Sequence, residues 1–335
     1  MFAGLLFKSI EKQAMPGVVF EAGRCLRARL RSHGCERCLA VCPRQALTLD
    51  NNRIALVEER CTGCHACVSV CPGNAFVGDF DLLSLLSVVS ADAGDDEVVL
   101  GCGRSPYHPN LSRLPCLGLL GESVLAGLHC LAKQEILLDI RSCDACENRQ
   151  ALDFLRQMIQ GVADKAAPGC LRLRLAGAEE FAGIDTDNSR RSFLKLTKTS
   201  LLGLGRRTAE MLPEPGSAQD EGVGMEKAAT PVSWFLCRAV ALLPGGAEAE
   251  QGLLREYHYK LTVGESCDLC PACTGMCPTG ALKRRRDEEG GRHLEFSSWQ
   301  CRGCGLCVEF CKKKALTLRP WGATAPGTLS AMVIA

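Results

Sequence analysis

Four short segments constrain this chain more than anything else in it: CERCLAVCPRQAL (35–47), CTGCHACVSVCPGNAF (61–76), CDLCPACTGMCPTGAL (267–282) and CRGCGLCVEFCKKKAL (301–316). Each ends on a cysteine followed a few residues later by alanine and an apolar residue. They come as two pairs. Within the first pair runs ALTLDNNRIALVEER, two alternating stretches about Asn51-Asn52, which is a hairpin signal. Within the second runs ALKRRRDEEGGRHLEFSS, with Gly290-Gly291 at its turn. One module is therefore written twice, at 20–80 and again at 256–320.

The cysteines total 23 in 335 residues, in tight clusters and short of the roughly 8–10% that marks a disulfide scaffold. The opening stretch MFAGLLFKSIEKQAMPGVV is broken by Lys8, Glu11 and Lys12 and lacks a secretory core. No stretch approaches the roughly 18 uncharged apolar residues of a spanning helix. A reducing, cytoplasmic setting is expected, with thiols serving metal. A formal net charge of +1 gives no reason to invoke nucleic acid. With aromatics at 5%, inorganic cofactors are expected to help hold the small domains together.

Cys61, Cys64, Cys67 and Cys71, then Pro72, follow C-x2-C-x2-C-x3-C-P, and Cys267, Cys270, Cys273 and Cys277, then Pro278, repeat it. The first three thiolates of such a run wrap one cubane, while the fourth points to a neighbouring cluster. Zinc also uses C-x2-C pairs, but it takes four ligands per site without interleaving. These residues resemble the bacterial two-cluster ferredoxins, over two blocks of about 60 residues each. The resemblance implies crossed ligand sets: Cys267, Cys270, Cys273 and Cys311 for one cluster, Cys301, Cys304, Cys307 and Cys277 for its neighbour. In the first module it implies Cys61, Cys64, Cys67 and Cys42 for one site, and Cys35, Cys38 and Cys71 for three corners of the other. Lys312 replaces the usual proline after Cys311. Lys312, Lys313 and Lys314 would raise the adjacent potential, receive an acidic partner, or simply form a solvated turn.

The fourth corner of that first site is an open question. Ser32 occupies the slot where the motif wants cysteine, and the nearest cysteine, Cys25, stands seven residues further upstream. Three readings are open: a stretched loop with Cys25 as ligand, a three-thiolate site completed by Ser32 or His33 or left as a three-iron cluster, or a buried thiol and a single cluster. The cofactor expectation is accordingly three to four [4Fe-4S] clusters.

Residues 97–175 change character. EVVLGC, LSRLPC, ESVLAGLHCLAKQ, EILLDIRSC, ALDFLRQMIQGV and CLRLRLA alternate short apolar runs with helical ones, predicting a small α/β layer on a parallel sheet. Cys102, Cys116, Cys143 and Cys146 follow three of its strands and would meet at the edge where open α/β folds bind ligands. The arrangement is similar to the small iron–sulfur subunit linking hydrogenases to heterodisulfide reductases, which implies a [2Fe-2S] cluster on those four residues. A thioredoxin-like dithiol at Cys143-Asp144-Ala145-Cys146, activated at a helix N-terminus, is the rival reading. Cys130, Cys170 and Cys237 read as small buried hydrophobes, and His108 and His129 as ordinary residues.

Between 181 and 255 the sequence reads as a linker with amphipathic helices. NSRRSFLKLTKTSLLGLG (188–205) looks like a twin-arginine export motif, but it sits mid-chain with an interrupted apolar region and is expected not to function. The basic stretch 190–207 and the apolar stretch 232–243 are candidate contacts with a membrane surface, a membrane subunit or a redox partner, on the inner membrane face.

The expected architecture is α+β and multidomain: two ferredoxin-like 2x[4Fe-4S] modules flanking a small α/β parallel-sheet domain. The divisions are 1–80, 81–180, the 181–255 linker, 256–320 and a 321–335 tail. No acid, base or nucleophile pocket and no phosphate loop is visible, so catalytic residues are not expected. The expected work is one-electron relay within a larger anaerobic oxidoreductase complex, among its redox subunits. The alternative is a thiol–disulfide or sulfur-handling enzyme using Cys143 and Cys146, and a third class is a partner-binding subunit with structural clusters.

Overall fold

The computed structural model describes residues 17–90, 97–182, 227–322 and the strand at 331–333. The twin-arginine-like motif and the basic stretch 190–207 lie outside the described residues.

The first module runs β1 (Val18–Phe20), α1 (Leu26–Arg29), α2 (Arg37–Val41), β2 (Leu47–Asp50), β3 (Arg53–Leu56), α3 (Ala66–Val70), β4 (Phe76–Gly78). β2 and β3 form the expected hairpin. Asn51 and Asn52 both take positive φ, 46° and 63°, the primed-turn conformation that matches strand twist and that asparagine tolerates best among residues with a side chain. β1 returns antiparallel to β4, closing the module end to end. Its small core, Val18, Leu47, Ile54, Ala75 and Phe76, packs directly against cysteines 25, 38, 42, 67 and 71.

The middle unit adds α4 (Ser84–Ser90), β5 (Val98–Cys102), β6 (Leu111–Leu114), α5 (Glu122–Leu131), β7 (Ile136–Asp139), α6 (Ala151–Ala163) and β8 (Leu173–Ala176). All strand pairs in the sheet are parallel, in the order β6-β5-β7-β8. Near-continuous apolar runs such as Ile136, Leu137 and Leu138 are what a sheet covered on both faces requires.

Two further helices, α7 (Pro231–Leu242) and α8 (Glu248–Arg255), belong to this same core. Here the structure differs from the expected linker. Val232, Phe235, Leu236 and Ala239 of α7 and Leu253 and Leu254 of α8 are buried with Leu125, Leu128 and Leu155. Phe235 rests on Gly127 of α5, where a Cβ would lie 2.5 Å from its ring. Thr230 caps α7 by accepting the Ser233 N–H at 3.0 Å, with Pro231 at the first turn. The apolar face of 232–243, expected as a docking surface, is thus buried in the protein's own core. Sequence spacing reports that a helix face is apolar but not what covers it.

The last module runs β9 (Tyr259–Val263), α9 (Ala272–Met276), β10 (Leu282–Arg286), β11 (Arg292–Ser297), α10 (Leu306–Phe310) and β12 (Leu316–Pro320), with β13 (Ala331–Val333) pairing β11. It repeats the first: β9 pairs β12 antiparallel, and β10 and β11 form the hairpin, turning at Gly290 with φ 84°. No helix among the described residues is long and apolar enough to cross a membrane.

Candidate iron–sulfur sites

Local backbone explains how each cysteine run closes on itself. Gly63 and His65 in C-T-G-C-H-A-C take φ of 65° and 60°, and Gly303 and Gly305 in C-R-G-C-G-L-C take 62° and 75°. These left-handed residues turn the chain tightly between successive cysteines. In C-D-L-C the same place is held by Leu269 at φ 54°, a conformation costing a non-glycine residue about 1–3 kcal/mol. C-E-R-C has no such residue: Arg37 opens α2 directly.

All 23 cysteines are free. Cysteines lie near one another in five sets, labelled here by Cys25, Cys61, Cys102, Cys301 and Cys267, and neighbouring sets adjoin, Cys116 beside Cys64 and Cys38 beside Cys67.

The Cys25 group bears on the fourth corner of the first site. Burial, then the neighbouring thiols of Cys71, Cys35 and Cys25, pushes the Cys38 thiol up to about 12. Cys25 therefore stands with Cys35, Cys38 and Cys71, whereas the Ser32 hydroxyl points away, donating to Glu309 Oε1 at 3.1 Å. His33 is also turned away, with Nε2 3.3 Å from the Cys304 carbonyl. In the Cys61 group, burial and then Cys64, Cys61 and Cys42 push the Cys67 thiol up. The Ala46 and Ala75 N–H groups donate to the sulfurs of Cys42 and Cys71, each at 3.2 Å.

In the last module, burial and then Cys277, Cys304 and Cys301 raise the Cys307 thiol. Burial, then Cys270 and, after the opposing Thr274 N–H, Cys267 push Cys273 up to about 11. Cys311 packs in the same core as Cys267 and Cys273. Cys270 is exposed, and the turn Lys312–Lys314 beside Cys311 is exposed as well.

The Cys102 group forms where adjacent strands β6, β5 and β7 end. Burial and then Cys102, Cys116 and Cys146 push Cys143 up to about 12. The Arg104 N–H reaches Cys102 Sγ at 3.4 Å, and the Asn148 N–H reaches Cys146 Sγ at 3.4 Å. Buried Asp139 holds Arg141 through two bonds of 2.9 and 3.0 Å, fixing the turn that carries Cys143. The dithiol reading loses its physical basis here. Residues 141–150 are turns and α6 starts only at Ala151, so neither cysteine sits at a helix N-terminus.

Cys130 is buried and Cys237 half-buried, but Cys170 is exposed, against the expectation of a buried hydrophobe. His108 and His129 accept backbone N–H bonds from Asn110 and Arg172, as ordinary structural residues do.

These donor sets suit iron–sulfur clusters: all-thiol groups, half-buried among apolar side chains, with backbone N–H groups aimed at sulfur. Among the described residues no three His, Cys, Asp or Glu side chains close around a single metal-ion position. A polynuclear core is wider than one ion and spreads its thiolates accordingly.

Two family models, each described as a 4Fe-4S dicluster domain, match residues 30–77 and 266–315. The chain belongs to this family of dicluster ferredoxin proteins. It is 34% identical over 83 residues to pyruvate synthase subunit PorD of Thermotoga maritima, covering 23% of this chain and 80% of that protein. It is 42% identical over 60 residues to the polyferredoxin protein MvhB of Methanothermobacter marburgensis, covering 16% of this chain and 15% of that protein. Cys25 falls before the first matched span. The two domains imply at least two and up to four [4Fe-4S] clusters, and an iron–sulfur electron-transfer function.

Proposed function

We propose that this chain is an electron-relay subunit of a larger oxidoreductase, with four [4Fe-4S] clusters on the Cys25, Cys61, Cys301 and Cys267 groups and a [2Fe-2S] cluster on the Cys102 group. The carrying observation is the convergence of cysteines from distant segments into close sets, including Cys25 and the strand-end cysteines. The chain's own part is to hold these groups, bury them and direct N–H dipoles at their sulfurs. Bound clusters supply the one-electron chemistry. A relative named as a subunit of pyruvate synthase and another named as a polyferredoxin support redox protein partners.

Native mass spectrometry of anaerobically purified protein tests the assignment. About 18 irons per chain is the expected count, against about 16 if the Cys102 group is empty. A redox titration by electron paramagnetic resonance then separates relay from scaffold. Clusters that a low-potential donor cannot reduce would defeat the relay reading.

A further inference from the structure

The extra residues between Cys25 and Cys35 are not slack. Leu26 is buried with Met276 and Leu306, and Leu30 and Phe310 pack against the same cluster. Arg29 donates to the Gly23 carbonyl at 3.1 Å and to the Met276 carbonyl at 3.4 Å. His33 meets the Cys304 carbonyl, and Ser32 meets Glu309. Leu26 with Met276 and Leu306, Arg29 with Met276, Ser32 with Glu309 and His33 with Cys304 all cross from the first module to the last.

We infer that residues 26–33 are an intramolecular docking element that joins the Cys25 group to the Cys301 group, so that the five thiol groups stand in a spatial order different from their order in the sequence. This rests on the relay reading for its functional meaning but not for its geometry. At the other side of the first module, Cys64 and Cys116 pack in one small core with Phe154, which places the Cys61 group beside the Cys102 group. The row runs Cys102, Cys61, Cys25, Cys301, Cys267. Its ends are the Cys102 group and the exposed Cys270.

Two arginines stand at the junction, and their burial costs more than the neighbouring thiols return, so both guanidinium pKa values fall. Occupied thiolate sites repel each other, and a cation between them offsets that repulsion. Arg29 acts on Cys277 and Cys304, while Arg302 acts on both Cys301 and Cys71. A stretched first motif therefore supplies the apolar contact and places the Arg29 guanidinium on the Met276 carbonyl across it.

The full-length holoprotein carrying photoreactive p-benzoylphenylalanine in place of Ser32 provides the test. Illumination and peptide mapping are expected to recover cross-links to 304–310, and cross-links confined to the first module would overturn the docking. Leu30→Asp, with the photoreactive group retained, is expected to reduce that yield several-fold at unchanged iron count. If Leu30→Asp does not fold, Glu309→Lys provides the milder disruption, and an unchanged yield there would count against the docking. In reduced wild-type protein, magnetic coupling between the modules is the second expected result. Irreducible clusters would defeat the relay and leave the cross-link result to decide the docking.

Discussion

The carbonyl oxygen of Cys64 lies against the Cα of Gly118, where a Cβ would stand 2.6 Å away. Backbone meets backbone here, at the seam between the first module and the middle domain. Gly118→Ala must push the two apart, at an expected cost of about 1–3 kcal/mol. Thermal unfolding of the holoprotein reads it, and an unchanged midpoint would show that the seam is loose.

Cys25→Ala should cost the protein about one to four irons in its native mass, as the first site falls to three irons or empties. Ser32→Ala should leave the count unchanged, since its hydroxyl faces Glu309. The reverse pattern would make Ser32 the fourth ligand.

Cys143→Ser should remove about two irons while the dicluster modules keep theirs. The strand-end thiols all come from the middle domain, although Cys116 packs beside Cys64 of the first module. Loss of about four irons or more would show that the middle domain supports the first module's clusters instead.

His258 is buried, its Nδ1–H donating to the Leu254 carbonyl at 2.8 Å and its Nε2 without a partner among the described residues. Burial lowers its pKa from 6.5 to about 4. The unfolded chain therefore binds a proton that the folded chain refuses between these values. Stability is full above about pH 6.5 and falls with acidification, approaching about 1.4 kcal/mol per pH unit before levelling near 4. Denaturant titrations at several pH values should show this slope in wild type and a shallower one in His258→Gln.

Lys312 and Lys313 follow Cys311 in an exposed turn, with Lys313 4.0 Å from Asp268. Replacing both with glutamine should lower the potential of the neighbouring cluster, by removal of positive charge, and weaken the salt dependence of reduction by an acidic partner. An unmoved potential in a redox titration would reduce the lysines to a solvated turn.

Spacing alone determined much of this protein. The cysteine runs, the Asn51-Asn52 and Gly290 turns and the alternation of strands and helices in 97–175 are local patterns, fixed by backbone preference and hydrophobic period. Tertiary structure decided what depends on distant segments meeting. Cys25 lies beside Cys38 although it stands ten positions before Cys35, and the apolar helices at 231–255 are core because they pack with α5. A sequence shows which surfaces must be buried and which thiols want metal. Which partner buries each surface is a choice among distant contacts, made by shape and packing in the folded chain.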